Sequence, residues 1–474
     1  MLIFDYILAT FDWLFLVYAG SVFLSYIALI ILSGIETINY FRKNSFVNYK
    51  DILSSPMAPS ISIIAPAYNE GLNIVDNVRS LLSSHYVNYE VIIVNDGSKD
   101  DSMERLIAAY DLEKVNYLID YQIPTQKVRG IYKSKNPAFE KLMIVDKENG
   151  GKADALNTGL NISNNRYVAC IDVDCLLVED SLQKMIKPFM EFTDKKVIAT
   201  GGVIRIANSC EIKDGKLIKV NLPKKLIERA QILEYIRAFL LGRMAWSRLN
   251  GLLVISGAFG IFDRKVAIDA GGYDTNTVGE DMEIIVRMRK FMQDQNLPYK
   301  VAYIPDPLCW TEAPDNYKIL TSQRNRWARG TIETLKMHKD ICFNPKYKSF
   351  GMLSYPFWLI YERMAPLIEV AGILYFVVLI SIGKVHVGFA LAFFVAAYLF
   401  SVLFSIVALL TEDLTYHQYK KKEDIFKLVL TALLEPFVFH PFMLWAGVKG
   451  NIDKMTGKKI GWGTMTRKGL GSGD

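Results

Sequence analysis

Paired cysteines are missing from this chain of 474 residues. Its five cysteines are scattered, no two form a CxxC pair, and none of the five histidines lies near enough in sequence to complete a zinc site. An odd number of unclustered cysteines is typical of a reducing compartment. We therefore interpret the cysteines as small buried hydrophobic residues rather than as a disulfide or metal framework.

A concentrated basic region is also missing. Lysine and arginine number 55 against 49 acids, which gives a net charge of +6, and the basic residues are spread along the chain. Nucleic-acid binding is therefore not expected, because it usually needs basic residues gathered on one element. Hydrophobic residues are abundant at 51%, and the mean hydropathy is slightly positive. Such a composition indicates a protein that is partly embedded in a membrane.

The first long apolar run, residues 13–35, has no charged residue and is long enough to cross a ~30 Å hydrocarbon core as a helix. Acidic residues precede it, and Arg42, Lys43 and Lys50 follow it. A signal peptide would carry its positive charges first, so we interpret the run as a retained anchor. Positive charge after the helix places the next domain in the cytoplasm, at the cell (inner) membrane.

The section 49–347 alternates short β-rich runs with amphipathic helical stretches, which is typical of an α/β domain. One helical stretch, 226–246, allows two interpretations. It packs on its own sheet, or it lies against the membrane surface.

Apolar segments return over 353–448. We predict an antiparallel pair of spans at 365–383 and 387–410. A third apolar run, 428–448, contains Pro436 and Pro441, which would break its helix. Because a single crossing would leave the basic tail 449–474 outside, against the charge rule, we prefer a re-entrant or interfacial segment that returns the tail to the cytoplasm.

Three motifs follow expected strands or begin an expected helix. The run from Ile61 ends in Pro66–Glu70, the run from Val91 ends in Asn95–Ser98, and Gly150-Gly151-Lys152 opens a helix. Open α/β sheets bind ligands beyond the carboxyl ends of their strands. A glycine pair with a lysine at a helix start favours an anion contact, although the spacing is not that of a Walker A loop.

A fourth motif, Asp172-Val173-Asp174, follows the apolar run 167–171 directly. Two carboxylates at the end of a strand are able to hold one hard cation, and Mg²⁺ or Mn²⁺ in that place neutralises a departing diphosphate. The alternative is a pair of acids in an exposed loop. The buried strand before the pair favours the metal site.

Two further motifs lie toward the end of the α/β section. Gly279-Glu280-Asp281 begins an apolar-periodic helix, where an acid is either a helix cap or a general base. Gln323-Arg324-Asn325-Arg326-Trp327 offers a guanidinium for phosphate and a flat ring for a sugar.

In this order, the motifs resemble those of the family 2 inverting glycosyltransferases, and within them the processive membrane synthases of cellulose, chitin, hyaluronan and poly-N-acetylglucosamine. The resemblance implies an α/β fold with a GT-A nucleotide-sugar-binding domain inserted between transmembrane helices. It also implies roles for single residues: Tyr68, Glu70 and Asp96 on the uridine, Lys152 beside the nucleotide, Asp172 and Asp174 on the metal, Asp281 as general base, and Gln323, Arg326 and Trp327 as the QxxRW motif of processive members, which frames the acceptor and the diphosphate.

The tail contains Trp462-Gly463-Thr464-Met465-Thr466-Arg467-Lys468, which is similar to the gating segment of hyaluronan synthases and adds Trp462 and Arg467 to the expected substrate contacts. The expected reaction is sugar transfer from a UDP-sugar to a growing glycan, with inversion. Transfer of a single sugar to a lipid carrier is the alternative. Membrane lipids are expected partners, and the sugar and any export partner stay open.

Overall fold

The computed structural model describes residues 2–47, 49, 55, 58–191, 194–213 and 215–456. Within them the strands are β1 Ile61–Ala67, β2 Tyr89–Asn95, β3 Leu112–Val115, β4 Val128–Ser134, β5 Leu142–Lys147, β6 Tyr167–Ile171, β7 Leu176–Leu177, β8 Lys196–Ile206, β9 Glu211–Lys213, β10 Lys216–Lys219, β11 Phe259–Asp263 and β12 Tyr299–Thr311. The α-helices are α1 Leu2–Asn44, α2 Ile74–Leu82, α3 Ser102–Tyr110, α4 Lys152–Ile162, α5 Ser181–Met190, α6 Leu226–Ile236, α7 Met244–Arg248, α8 Arg264–Asp269, α9 Glu280–Asp294, α10 Tyr317–Met337, α11 Tyr355–Phe357, α12 Ala365–Ser381, α13 Val387–Thr415, α14 Lys422–Val438 and α15 His440–Met455.

Ten strands form one mixed sheet in the order β3-β4-β5-β2-β1-β6-β11-β8-β12-β7. The neighbours β5, β2, β1 and β6 run parallel to one another. Parallel strands are covered by helices on both faces, so their sequences are nearly continuous apolar runs. The run from Ile61 to Ala65 is such a strand, since all five of its residues are buried.

The order of the strands brings the motifs to one edge of the sheet. Because β1, β2 and β6 are parallel, the residues that follow each of them leave the sheet on the same side. Strand β11 runs antiparallel to β6 and pairs Phe259 with Ile171, so the loop before β11 reaches that side as well. Ligands of open α/β sheets bind at this kind of edge.

Apolar helices flank the α/β domain. In the described part of the chain, α1 over Leu8–Asn44 and α13 are each long and apolar enough to cross a membrane. Two bent pairs raise that number to four if each counts as one span: Phe350–Arg363 with α12 at 46°, and α14 with α15 at 49°. An α/β sheet flanked by apolar helices confirms the predicted fold class.

The predicted segments lie on these helices as follows. Residues 13–35 lie within α1, and the predicted broken segment 428–448 lies across the bend between α14 and α15. Pro436 is in the last turn of α14, and Pro441 is in the first turn of α15. A proline removes a backbone donor and clashes with the preceding turn, so two prolines on either side of Phe439 account for the break.

The amphipathic stretch 226–246 belongs to α6, a π-helical stretch Arg237–Arg243 and α7. It contacts β8 of the sheet on one side and α1, α13 and α14 on the other. The contacts with the sheet confirm the first interpretation of this stretch, and contact with a membrane surface stays a prediction.

Candidate active site

The Asp172-Val173-Asp174 motif forms the turn in which β6 ends. Its geometry is fixed by backbone hydrogen bonds: the N–H of Asp172 donates to the carbonyl of Ala258, and the N–H of Cys175 donates to the carbonyl of Asp172 at 2.9 Å. One ligand atom each from Asp172, Asp174 and Cys175 lies within 4.8 Å of the others. The turn therefore gathers two carboxylates at the edge of the sheet.

Lys152 reaches this turn from the first residue of α4. Its Nζ lies 2.5 Å from Oδ1 of Asp172 and 3.3 Å from Oε1 of Glu280. Burial acts to lower the pKa of Lys152, but the carboxylates of Asp172, Glu280 and Asp281 outweigh it and raise the pKa above its usual value. The lysine is therefore a fixed positive charge among several acids.

Asp281 lies in the first turn of α9, on the same side of the sheet. Its Oδ2 accepts a hydrogen bond of 3.2 Å from the backbone N–H of Gly257. A Cβ at Gly257 would lie 2.9 Å from Nζ of Lys152 and 3.7 Å from Oδ2 of Asp281, so the loop passes close to both. The structure thus brings Asp172, Lys152 and Asp281 together.

Glu280 joins Asp172, Asp281 and Lys152 in a group that we call the acid cluster, although no sequence motif marks it as a site residue. Its side chain is buried beside Lys152, and it helps to line a small cavity with Asp281 and Gly257. Burial and the charge of Asp281 raise the pKa of Glu280, and Lys152 opposes them in part. Glu280 directly precedes Asp281 in the sequence. Only the structure shows that both side chains face the cluster.

Asp96, a predicted contact of the uridine, is buried and hydrogen-bonded within its own chain. One oxygen pairs with Nζ of Lys147 at 2.6 Å, and the two carboxylate oxygens accept from the backbone N–H groups of Gly150 and Gly151 at 2.9 and 2.8 Å. Asn149 also donates to it. In this structure Asp96 therefore holds the glycine turn that leads into Lys152.

Tyr68 and Glu70 lie in the loop after β1, beside the loop after β2. The N–H of Asn69 donates to Ser98 at 3.0 Å, and the N–H of Glu70 donates to Ser102 at 3.1 Å. These bonds join the ends of two neighbouring strands. The ring of Tyr68 is 44% exposed, so it is accessible to a ligand at this edge.

The residues of QxxRW lie in the first half of α10. Gln323 is buried, and its amide oxygen has no hydrogen-bond partner among the described residues. Trp327 is 42% exposed, and the guanidinium of Arg324 stands over its ring at 4.0 Å. Arg326 is half-buried. The helix therefore presents an amide, a guanidinium and an aromatic face.

Helix α10 also touches the turn that precedes the acids. A Cβ built on Gly279 would lie 2.7 Å from the Cα of Gly330, so the two backbones are in direct contact. The QxxRW helix and the acid cluster are thus parts of one assembly. Trp462 and Arg467 lie outside the described residues.

Comparison with known proteins identifies the family. Residues 58–330, which are more than half of the chain, match the family described as glycosyltransferase-like family 2. Residues 277–440 match chitin synthase. A poly-beta-1,6-N-acetyl-D-glucosamine synthase of Staphylococcus epidermidis (strain RP62A) is 32% identical over 276 residues, which cover 58% of this chain and 55% of that protein. The corresponding synthase of Staphylococcus aureus (strain COL) is 27% identical over 339 residues, which cover 71% and 68%.

The chain thus spans little more than half the length of the first of these relatives. Among solved structures, a mannosyltransferase from Pyrobaculum calidifontis in complex with GDP-Man and Mn²⁺ superposes with a TM-score of 0.49 at 16% identity, over 91% of this chain and 100% of that one. The predicted family is confirmed: the chain belongs to the family 2 glycosyltransferases, which are inverting enzymes, and it is related to chitin synthases and poly-N-acetylglucosamine synthases.

Proposed function

We propose that this glycosyltransferase moves a sugar from a UDP-sugar to an acceptor hydroxyl and extends a β-linked polysaccharide processively at the cytoplasmic face of a membrane. The observation that carries the proposal is the convergence of Asp172 and Asp281 on Lys152 at the ligand-binding edge of the sheet. Sugar transfer needs a place for a diphosphate and a carboxylate for a proton side by side. The cluster offers both.

The turn Asp172-Val173-Asp174, which we call the DxD turn, has side chains that suit a hard divalent cation. Mg²⁺ and Mn²⁺ prefer oxygen ligands, and the carboxylates of Asp172 and Asp174 supply them. A hydrogen bond with Cys309 and burial raise the pKa of the Cys175 thiol well above its usual range. The soft sulfur of a thiol also suits these hard ions less well than carboxylate oxygens do. When bound there, the ion would neutralise the charge that develops on the departing diphosphate.

Asp281 would accept the proton of the attacking hydroxyl. The N–H of Gly257 orients its carboxylate, and the loop Ser256–Gly260 is similar to the acceptor-side loop of the family. The acceptor would attack the anomeric carbon from the face opposite to the leaving diphosphate. Inversion then converts an α-linked donor into a β-linked product.

The remaining predicted contacts would hold the two substrates. Tyr68 and Glu70, at the end of β1, would hold the uridine of the donor. On α10, Arg326 would contact diphosphate oxygens, and the exposed ring of Trp327 would pack against an acceptor sugar. A helix that holds the polymer end next to the donor supports processive extension.

Ion pairs at both ends of the last helical segment support a cytoplasmic tail. Glu412, near the end of α13, pairs with Arg205 of β8, so the chain enters α14 beside the α/β domain. Lys454, near the end of α15, pairs with Glu333 of α10. A segment that begins and ends against the same domain favours the interfacial interpretation over a single crossing.

The related synthases name the donor to test first. They are poly-beta-1,6-N-acetyl-D-glucosamine synthases, so we propose UDP-N-acetylglucosamine ahead of UDP-glucose and UDP-glucuronate. The full chain, purified in detergent, is incubated with each donor and Mn²⁺, and nucleotide release and product length are measured.

We expect one donor to give steady nucleotide release and long polymers. Chelation of the metal abolishes release, and added Mn²⁺ or Mg²⁺ restores it. Products that carry a single added sugar would contradict processivity and favour transfer to a lipid carrier. The absence of release with all three donors in the presence of metal would contradict the proposed function itself.

A further inference from the structure

The carboxylate of Glu333 on α10 connects two segments that are far apart in the sequence. Its Oε2 accepts a hydrogen bond of 2.9 Å from the hydroxyl of Thr277 and one of 3.0 Å from the backbone N–H of Val278. Its Oε1 accepts a charged hydrogen bond of 2.6 Å from Nζ of Lys454 on α15. One side chain therefore holds both the turn before α9 and the last described helix.

The turn held by Glu333 leads directly into the acid cluster. Thr277 and Val278 precede Gly279, and α9 begins with Glu280 and Asp281. A Cβ on Gly330 would lie 2.6 Å from the Cα of Gly279, so α10 and this turn leave no space between their backbones. A shift of the turn relative to α10 would consequently move Asp281.

Helix α15 packs along α10, and its polar and close backbone contacts hold it there. Lys454 pairs with Glu333, and Nδ2 of Asn325 donates to Oδ2 of Asp453 at 2.7 Å. At Gly450, an added Cβ would lie 2.8 Å from the Cβ of Ala328, so the two helices approach closely. The position of α15 is therefore fixed against the helix that also carries QxxRW.

Glu333 is suited to this place because it stays ionised. It is only 10% exposed, and burial alone would raise its pKa. Hydrogen bonds from Lys454, Val278 and Thr277 outweigh burial and hold the pKa of Glu333 below its usual value. Charge-assisted hydrogen bonds to an ionised acceptor are about twice as strong as neutral ones.

We propose that Glu333 is a positioning residue, and that its ion pair with Lys454 makes the placement of Asp281 depend on the docking of α15 against α10. Loss of Lys454 leaves Arg329, whose guanidinium lies 3.9 Å from the same Oε1, as the remaining cation beside Glu333. The carboxylate then shifts toward Arg329 and away from Thr277 and Val278. The turn before α9 loosens, and Asp281 moves away from the acceptor hydroxyl. This inference rests on the proposed role of Asp281 as general base.

The test compares four single variants of the full chain in detergent, with nucleotide release as the readout. Lys454→Met removes the cation, Lys454→Arg keeps it, and Thr277→Val removes the hydroxyl that donates to Glu333. Lys449→Met is the matched control, because Lys449 lies on the same helix but stands over the ring of Trp445 at 5.0 Å. Asp281→Asn is measured alongside.

We expect Lys454→Met and Thr277→Val each to lower kcat by about 10- to 100-fold, since small misplacements of a reacting group have effects of that order. The KM for the donor stays within about twofold of the wild-type value, because the donor contacts lie elsewhere. Lys454→Arg restores most of the kcat, and Lys449→Met matches the wild type. The hydroxyl of Thr277 donates to Glu333 and also accepts from the N–H of Gly279 at 3.1 Å. The loss in the double variant Lys454→Met/Thr277→Val is therefore smaller than the product of the two single losses, because the two variants share the carboxylate of Glu333 but not the bond to Gly279.

A wild-type kcat in Lys454→Met would overturn the inference. A loss of kcat in the double variant equal to the product of the two single losses would also overturn the inference. This test compares ratios of kcat among the variants, so it works even where their absolute activity is low. Activity retained by Asp281→Asn would instead contradict the proposed function, which separates the two failures.

Discussion

The acid cluster and the contact between the α/β domain and the long helices both bury charged groups, but in different proportions. Among the residues that the structure describes in the cluster, the carboxylates of Asp172, Glu280 and Asp281 surround the ammonium of Lys152. Burial raises the pKa of Glu280, Lys152 lowers it, and the charges of Asp281 and Asp172 add smaller upward contributions. Such an arrangement raises the free energy of the folded state and favours the binding of a proton or a cation.

At the contact with the long helices, two buried acids each pair with an arginine. Arg205 of the sheet pairs with Glu412 of α13, and both side chains are nearly fully buried. Arg237 makes two hydrogen bonds to Glu435 of α14. The two regions therefore differ: a surplus of negative charge around a buried lysine characterises the proposed active site, whereas paired charges join the α/β domain to the long helices.

The largest effect is expected from Asp172→Asn in the acid cluster. The charge stabilisation that a bound cation supplies is worth several kcal/mol, and each ~1.4 kcal/mol changes a rate tenfold. We therefore expect nucleotide release to fall by about 1,000-fold. Asp269→Asn, on an exposed helical pair with Lys265, is the control and should match the wild type. Equal activities in the two variants would contradict the assignment of the metal site.

The next effect concerns stability at the contact with the long helices. Glu412→Gln leaves the charge of Arg205 buried without its partner, and breaking such a pair typically costs about 3–5 kcal/mol. We expect a clearly lower unfolding temperature in detergent. The double variant Arg205→Met/Glu412→Leu should recover most of the loss, because it removes both charges. If the double variant were less stable than Glu412→Gln, the pair would not act as a balanced unit.

The acid cluster should respond in the opposite direction. Burial raises the pKa of Glu280 above its usual 4.5. A carboxyl whose pKa is higher in the folded than in the unfolded protein destabilises the fold at pH values above 4.5. Glu280→Gln should therefore raise the unfolding temperature at neutral pH, and the gain should shrink as the pH falls toward 4.5. A lower unfolding temperature at neutral pH would show that the bond to Lys152 dominates.

The smallest effect is expected at an exposed pair, which sharpens the contrast with Glu412. Lys216 and Glu179 lie 2.6 Å apart, and each side chain is more than 40% exposed. Exposed pairs contribute about 0–1 kcal/mol. Lys216→Met should leave the unfolding temperature nearly unchanged. A loss as large as that of Glu412→Gln would contradict the distinction between buried and exposed pairs.

The sequence predicts much of the acid cluster because its motifs follow local patterns. The apolar run 167–171 is strand β6, and Asp172 leaves the sheet at its end. Parallel strands bring their carboxyl ends to one edge, so chain order alone places Asp96 and Asp172 on the same side. The apolar periodicity of the residues after Asp281 indicates that a helix begins there, although it does not show what that helix packs against.

The contact partners could not be predicted in this way. Lys454 and Glu333 are more than a hundred residues apart, and each looks like an ordinary charged residue on a helix. Asp96 was assigned to the uridine by resemblance, and the structure adds a contact with Gly150 and Gly151 that no local pattern indicates. Such contacts depend on how distant elements pack against one another. Short sequence motifs carry no information about that packing.

The measurement that tests the central claim most directly is the rate of nucleotide release by Asp281→Asn with the active donor and Mn²⁺, together with the affinity for UDP. General base catalysis contributes about 10²–10⁴-fold. The account predicts a loss of that size with UDP affinity within about twofold of the wild-type value, as expected when only the transition state loses a contact. Release at the wild-type rate would contradict it.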